Sequence, residues 1–133
     1  MTIWDISHIM LTNRQKEHNM FEVVFYQKED GTKPAKEFIS SLSNPLKAKI
    51  ATRIEILKEF GNNLREPHSK SLNDGIFELR TQLGNDNVRI LYFFFIGNLI
   101  VLTNGFIKKT QKTPVSQIEL AKKYRKDFME KRG

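Results

Sequence analysis

Three consecutive runs that are rich in β-branched and aromatic residues constrain the fold of this chain more than any other feature. The runs Ile76–Leu83, Val88–Ile96 and Leu99–Ile107 are separated only by Gly84-Asn85-Asp86-Asn87 and by Gly97-Asn98. Strand-like runs joined by short segments rich in Gly and Asn are typical of β-hairpins. The sequence therefore predicts three neighbouring antiparallel strands in the second half of the chain.

The segment before these strands has the pattern of one strand followed by two helices. Phe21–Tyr26 alternates as a strand does. Pro34 and Asn44-Pro45 mark two helix starts, because Pro is favoured at the first helical position and Asn at the N-cap. The apolar residues that follow at helical spacing are Ala35, Phe38, Ile39 and Leu42, then Leu46, Ile50, Ile54 and Leu57. The two helices are predicted to form a helical hairpin.

A capping box at Ser116-Gln117-Ile118-Glu119 opens a predicted last helix. The predicted order is β-α-α-β-β-β-α, an α+β fold. We expect residues 20–133 to form a single domain. Residues 1–19 have weak periodicity and are expected to be a peripheral or mobile extension.

The composition excludes several classes of site. The 133 residues include no Cys, which excludes disulfides and thiolate metal sites and agrees with a reducing cytosol. The longest apolar stretch, Ile90–Leu102, is shorter than the ~20 residues that span a bilayer. Asp5 and His8 interrupt the region where a secretory signal needs an apolar core. We therefore expect a soluble, cytoplasmic protein with no membrane partner.

Positive charge is concentrated near the C-terminus. The chain has 22 Lys and Arg against 15 Asp and Glu, and residues 106–133 hold nine of the former and three of the latter. This asymmetry predicts a polyanionic or acidic partner. A solvated helix face gives the same pattern, so the charge by itself does not decide the function.

The first hairpin is predicted to bring two arginines to one face of the sheet. If the loop Gly84-Asn85-Asp86-Asn87 has an even number of residues, Arg80 pairs with Leu91. Arg80 and Arg89 then share a face, because side chains alternate along a strand. An odd-length loop would separate them.

The second hairpin is predicted to add an aromatic ring and a lysine to that face. A two-residue turn at Gly97-Asn98 places Arg89 opposite Phe106, and Lys108 follows on the same face. Guanidinium groups match phosphate, and an aromatic ring can stack an unpaired base. These residues together predict a pocket for single-stranded RNA. Pairing of the arginines with Glu78, Asp86 or a helix acid is an equally open alternative.

Other catalytic motifs are few. His68, in the predicted loop Pro67-His68-Ser69-Lys70, is a candidate general acid or base, although a lone loop His is more often only solvated. The sequence has no HExxH, nucleophile elbow, P-loop or metal-ligand spacing. We therefore expect no metal and no cofactor.

Four stretches resemble the phage-derived Gp49-like, HigB-type branch of the RelE/ParE toxins, over a region from about Phe21 to the C-terminus. The most specific stretch is the last of the four. They are Ser69-Lys70-Ser71-Leu72, Gly75-Ile76-Phe77-Glu78-Leu79-Arg80, Val88-Arg89-Ile90-Leu91-Tyr92 and Gly105-Phe106-Ile107-Lys108-Lys109-Thr110-Gln111-Lys112-Thr113-Pro114.

The resemblance implies a twisted antiparallel sheet with the helical hairpin on one side. It also implies the toxin of a type II toxin–antitoxin system, which cleaves mRNA on the ribosome without a metal, by attack of the ribose 2′-hydroxyl on the adjacent phosphate. The implied partners are the ribosome, mRNA and a helix-turn-helix (HigA-like) antitoxin.

Roles for individual residues follow from the same resemblance. Arg80 and Arg89 would hold the scissile phosphate, and Lys108 and Lys109 would contact phosphate or transfer protons. The chain has Lys-Lys-Thr where several relatives have His, Glu or Tyr, which leaves the general base open. The expected RNA-binding residues are Phe106, which would stack a base, and His68, Lys70, Thr110 and Lys112.

Two other functions fit the same sequence. One is a ParE-like, non-enzymatic inhibitor of DNA gyrase, which would need no cation pocket in the sheet. The other is a non-catalytic basic RNA-binding module, which would show salt-dependent binding and no cleavage. The predicted convergence of the cations favours the endoribonuclease.

Overall fold

The described part of the chain contains five strands and three helices. The structure is a computed structural model that describes residues 20–132, so the predicted extension at residues 1–19 lies outside the described residues. The elements are β1 (Glu22–Phe25), α1 (Pro34–Ser40), α2 (Asn44–Phe60), a 3-10 turn (Gly61–Asn63), β2 (Ser69–Ser71), β3 (Phe77–Leu83), β4 (Asp86–Phe95), β5 (Leu99–Ile107) and α3 (Val115–Arg132). The α+β class is confirmed, with one strand more than predicted.

The additional strand, β2, lies where the sequence predicts a loop. Its three residues pair antiparallel with the start of β3, and Ser69 lies opposite Leu79. A run as short as Ser69–Ser71, with no apolar residue, has no strand periodicity of its own, so pairing with β3 defines it.

The five strands form one sheet in the order β1-β5-β4-β3-β2. The expectation of a wholly antiparallel sheet is wrong, because β1 pairs with β5 in parallel. Helices α1 and α2 carry the chain away from β1, so no tight turn joins β1 to its neighbour in the sheet. Its direction is therefore not restricted to antiparallel.

Apolar side chains cover both faces of the sheet. One face packs against the helical hairpin, and its core includes Leu46, Ile50 and Leu57 from α2 with Leu79, Ile90 and Tyr92 from the sheet. The opposite face packs against α3, and its core includes Leu91, Phe93, Phe106, Ala121 and Phe128. The sheet is thus the middle layer of three.

The first hairpin has a shorter turn than predicted. Strands β3 and β4 pair up to a two-residue turn, Gly84-Asn85, rather than a four-residue loop. As a result Arg80 lies opposite Arg89 and not opposite Leu91. Both loop lengths are even, so the prediction that the two arginines share a face is confirmed.

The second hairpin reaches the predicted pairing by a different route. Its turn has three residues, Ile96-Gly97-Asn98, one more than predicted. A β-bulge in the pairing between Ile90 and Tyr92 of β4 then shifts the register by one residue, so Arg89 lies opposite Phe106 as predicted. The bulge compensates for the odd turn.

Two helix starts differ from the prediction by one or two residues. Ser43, not Asn44, is the N-cap of α2, and its side chain accepts a hydrogen bond of 3.4 Å from the Leu46 N–H. Helix α3 begins at Val115, so Ser116 lies inside the helix rather than at its N-cap. Shifts of this size are common at helix ends.

Candidate functional site

Two arginines lie next to each other on the sheet face that packs against α3. Arg80 of β3 and Arg89 of β4 are directly opposite each other. Residues in such a position have Cβ atoms about 5 Å apart, and two like charges there repel each other. A negatively charged group between them is therefore expected.

The carboxylate of Glu78 is that group. Glu78 is 1% exposed, and its Oε2 lies 2.7 Å from Arg80 Nε and 3.4 Å from Arg89 Nε. Thr113, in the loop between β5 and α3, donates a hydrogen bond from its hydroxyl to the other carboxylate oxygen. The alternative pairing of both arginines with Glu78, left open by the sequence, is thus present in the structure.

The surroundings of Glu78 keep it ionised. Burial would raise the pKa of this carboxyl group. The hydrogen bonds from Thr113 and Arg80, with the charges of Arg80 and Arg89, outweigh burial and hold the pKa below its usual value of 4.5. Glu78 therefore carries a full negative charge at neutral pH.

Arg89 is the more deeply buried of the two arginines. It is 8% exposed, and its Nη1 donates a 3.0 Å hydrogen bond to the Val88 carbonyl. Its Nε forms no hydrogen bond within residues 20–132, although it lies near the Glu78 carboxylate. Burial, opposed by Glu78 and assisted by Arg80, lowers the pKa of this guanidinium. Arginine nevertheless stays charged in proteins.

A third cation, Lys108, lies at the end of β5 beside the arginines. Its backbone N–H donates a 2.7 Å hydrogen bond to the Asn87 carbonyl, which anchors the segment after β5 to β4. Partial burial and the charge of Arg89 lower the pKa of Lys108, and Glu78 acts in the opposite direction. Lys108 consequently loses its proton more easily than an ordinary surface lysine.

These side chains border a cavity of about 290 Å³ between the sheet and the start of α3, here called the cationic pocket. The lining residues are Lys70, Ser71, Leu72, Asn73, Glu78, Arg80, Lys108, Gln111, Lys112, Thr113 and Ile118. Four of them are cations and one is a carboxylate. With Arg89 beside it, the single negative charge leaves a positive excess that can hold a further anion.

A second cavity of about 540 Å³, here called the α2-side cleft, adjoins the cationic pocket at Arg80. Helix α2, the segment before β2 and the first hairpin enclose it. Its lining residues are Lys49, Arg53, Pro67, His68, Arg80, Thr81, Gln82, Gly84, Asn87 and Arg89.

The predicted site residues do not all come together. Arg80, Lys108, Lys70 and Lys112 line the cationic pocket, whereas His68 lines the α2-side cleft. Lys109 and Thr110 are exposed in the loop after β5, where the Thr110 hydroxyl donates a 2.6 Å hydrogen bond to the Lys112 carbonyl.

The base-stacking role predicted for Phe106 needs correction. Its ring is 9% exposed and belongs to the core between the sheet and α3. A ring buried in this core presents no open surface to a base. The hairpin pairing is as predicted, but α3 covers this position.

Sequence reasoning missed three groups that the structure places at the two cavities. Thr113 donates to Glu78, and Lys49 and Arg53 line the α2-side cleft. From the sequence, Glu78 is expected only as a partner that neutralises an arginine. Its spacing of two residues from Arg80 on one strand puts both on one face, which is the signal that could have placed it in the centre of the site.

The family model "Phage derived protein Gp49-like (DUF891)" matches residues 37–126, more than half of the chain, and the chain belongs to this family. The family is RelE-like and toxin-like, and a toxin of this kind implies an antitoxin partner. The match begins in α1 and ends in α3, so it includes β3, β4 and β5. No curated protein matches the chain.

Two further observations concern residues 20–132 alone. None of the helices in this range combines the length and the apolar character needed to cross a membrane. Within the same range no three His, Asp or Glu side chains are grouped so that they could hold a metal ion.

The central position of Glu78 predicts an acid-dependent stability that Glu78→Gln removes. A carboxyl group whose pKa is lowered by folding stabilises the fold above its unfolded-state pKa, and this contribution is lost as the pH falls through the folded-state pKa. We expect the free energy of unfolding of Glu78→Gln at pH 7 to be about 3 kcal/mol below wild type, because the buried arginines lose their counter-ion. Urea denaturation followed by circular dichroism measures both proteins.

The difference in the free energy of unfolding between the two proteins should shrink as the pH falls below 4.5, because Glu78 of the unfolded chain takes up its proton there while the folded-state pKa lies lower. Glu55→Gln, which removes an exposed carboxylate of α2, is the matched control and should follow wild type within about 0.5 kcal/mol. A constant difference between wild type and Glu78→Gln down to pH 2 would contradict the assignment.

Proposed function

We propose that this chain is a HigB-type toxin that cleaves mRNA on the ribosome as a metal-independent endoribonuclease. The observation that carries the proposal is the excess of cations around one buried carboxylate. Glu78 balances one of the two charges on Arg80 and Arg89. The remaining charge suits one phosphodiester, and Lys108 adds a second positive charge when it is protonated.

The pairing of the arginines with Glu78 is compatible with phosphate binding by the same arginines and supports it. Glu78 contacts each arginine through Nε, so the terminal nitrogens of Arg80 remain able to donate to a phosphate. A buried anion that fixes two guanidinium groups also prevents them from moving apart. Preorganised donors of this kind stabilise charge in the transition state without reorganising.

The proposed reaction proceeds by internal attack. A base removes the proton from the ribose 2′-hydroxyl, and the 2′ oxygen forms a bond to the adjacent phosphorus. The bond from phosphorus to the 5′ oxygen of the next nucleotide breaks, and that oxygen takes up a proton. The products are a 2′,3′-cyclic phosphate and a 5′-hydroxyl. Arg80 and Arg89 stabilise the charge on the non-bridging oxygens during these steps.

Lys108 is the proposed base. It is half-buried beside Arg89, and both effects lower its pKa. Proton transfer is most effective when the pKa of the group lies near the working pH, so a lowered lysine pKa suits the role. Lys70 and Lys112, at the rim of the cationic pocket, and the exposed Lys109 and Thr110 are proposed to contact flanking phosphates.

The proposed partners are mRNA, the ribosome and a helix-turn-helix (HigA-like) antitoxin, and the proposed location is the cytoplasm. The cationic pocket is small and lined by four cations, which supports cleavage within a single strand presented by a larger assembly. An antitoxin that places acidic groups over this pocket would neutralise the toxin.

Replacement of Arg80 tests the proposed activity. Arg80→Ala removes a hydrogen-bond donor to the phosphate and is expected to lower the rate of mRNA cleavage on ribosomes by about 10²–10³-fold. Cleavage is measured by primer extension in a translation reaction, and growth arrest is measured after induction in cells. Arg132→Ala is the control, because it removes an exposed arginine at the other end of α3, about 25 Å along the helix from Thr113.

Full cleavage and growth arrest by the Arg80→Ala/Arg89→Ala double variant would refute the endoribonuclease proposal. Inhibition of DNA gyrase supercoiling by the wild-type protein, with mRNA left intact, would favour a ParE-like activity instead.

The proposed role of Lys108 as the base predicts that the cleavage rate depends on pH. Only the neutral amine can accept a proton, so the single-turnover rate should rise with pH and level off below pH 10.5, the ordinary lysine value, because the pKa of Lys108 is lowered. Lys108→Arg keeps the positive charge but cannot deprotonate. It should bind RNA as wild type does and cleave about 10²-fold more slowly, with the pH dependence lost. A wild-type rate in Lys108→Arg would assign the base to another group.

A further inference from the structure

The α2-side cleft is the larger of the two cavities that meet at Arg80, and the proposed cleavage reaction uses only its two arginines, Arg80 and Arg89. It runs from Arg80 past the edge of β3 to helix α2. Lys49 of α2 reaches this edge and donates a hydrogen bond to the Gln82 carbonyl. An RNA strand that leaves the cationic pocket over Arg80 would enter this cleft directly.

The charge of the α2-side cleft is of one sign. Lys49, Arg53, Arg80 and Arg89 all line it, and none of the lining residues in the described part of the chain is Asp or Glu. Glu78, which balances the arginines, borders the cationic pocket instead. Glu78 balances only one of these four charges, so the cleft keeps a positive excess that attracts a further anion.

Two guanidinium nitrogens at the α2-side cleft are buried and form no hydrogen bond within residues 20–132. They are Nε of Arg89, which lies 3.4 Å from Glu78 Oε2, and Nε of Arg53. Burial of a donor without a partner costs free energy, so such groups call for an explanation in a native structure. Arg53 has no ion pair to a carboxylate within the described residues, and a phosphate oxygen would satisfy its guanidinium.

The remaining lining residues suit a nucleotide better than a bare phosphate. A volume of about 540 Å³ lies in the range of sites for small organic molecules. The ring of His68 is a flat surface on which a base can stack, and the apolar ring of Pro67 can pack against a base as well. The side-chain amides of Gln82 and Asn87 can pair with base edges.

We infer that the α2-side cleft binds the nucleotide next to the phosphodiester held in the cationic pocket, with Lys49 and Arg53 on its phosphate and His68 against its base. This inference rests on the proposed function, since it places a second part of the same RNA strand. Arg80 belongs to both subsites. The cleft would then contribute to the choice of sequence that is cleaved.

The experiment compares two uncleavable RNAs on the full chain. A 2′-O-methyl dinucleotide has only the phosphodiester that the cationic pocket would hold, whereas a 2′-O-methyl tetranucleotide also has the flanking phosphate that Lys49 and Arg53 would contact. Binding is followed by NMR titration of wild type, Lys49→Gln, Arg53→Gln and Lys108→Gln. Lys36→Gln, which removes an exposed lysine of α1, is the matched control.

Lys49→Gln and Arg53→Gln are expected to bind the tetranucleotide about tenfold more weakly and the dinucleotide as wild type does. Each should also lower the slope of log affinity against log salt for the tetranucleotide by about 0.7, the value for one lost contact to single-stranded phosphate. Lys108→Gln should weaken the binding of both RNAs, and Lys36→Gln should weaken the binding of neither.

Failure of this inference and failure of the proposed function are distinguishable. Equal affinity of Lys49→Gln, Arg53→Gln and wild type for the tetranucleotide would overturn the nucleotide subsite, even if mRNA is cleaved on ribosomes. A cleft that binds a poly-aspartate peptide and not the tetranucleotide would overturn it as well, in favour of an acidic protein partner. RNA binding with the expected length dependence but no ribosomal cleavage would support the subsite and refute the endoribonuclease.

Discussion

The buried carboxylate of Glu78 is the interaction on which the rest of the candidate site depends. It lies within 3.4 Å of both guanidinium Nε atoms and accepts a hydrogen bond from Thr113. Without it, Arg80 and Arg89 would repel each other across neighbouring strands. With it, two arginines are held at fixed positions and still carry one positive charge in excess, which Lys108 increases. Thr113 links this arrangement to the start of α3, so the helix and the site are positioned together.

The part of the site that depends only on the alternation of side chains along the strands could be predicted from sequence. Side chains alternate along a strand, so Arg80 and Arg89 share a face for any even turn, whether it has two residues or four. The pairing of Arg89 with Phe106 was predicted for a reason that is only partly right. The second turn is odd, and a bulge near Leu91 restores the register. Bulges depend on packing between layers, which a strand pattern does not reveal.

The remaining features depend on which layer covers each face, and sequence pattern does not determine this. Phe106 is on the predicted face, but α3 packs over it and removes it from the surface. His68 precedes β2, which is defined by pairing with β3, and this pairing directs the segment toward α2 rather than toward Lys108. The parallel position of β1 likewise follows from the path of the helical hairpin. In each case a contact distant in sequence decides the outcome.

The central claim is that the scissile phosphodiester lies between Arg80 and Lys108, above Glu78. The most direct test is an electron cryomicroscopy structure of the chain on a ribosome that carries mRNA with 2′-O-methyl groups in the decoding site. We expect one phosphate within hydrogen-bond distance, about 3 Å, of both Arg80 and Lys108, with Glu78 still paired to the arginines. A bound chain whose cationic pocket faces away from the mRNA, with no phosphate near Arg80, would contradict it.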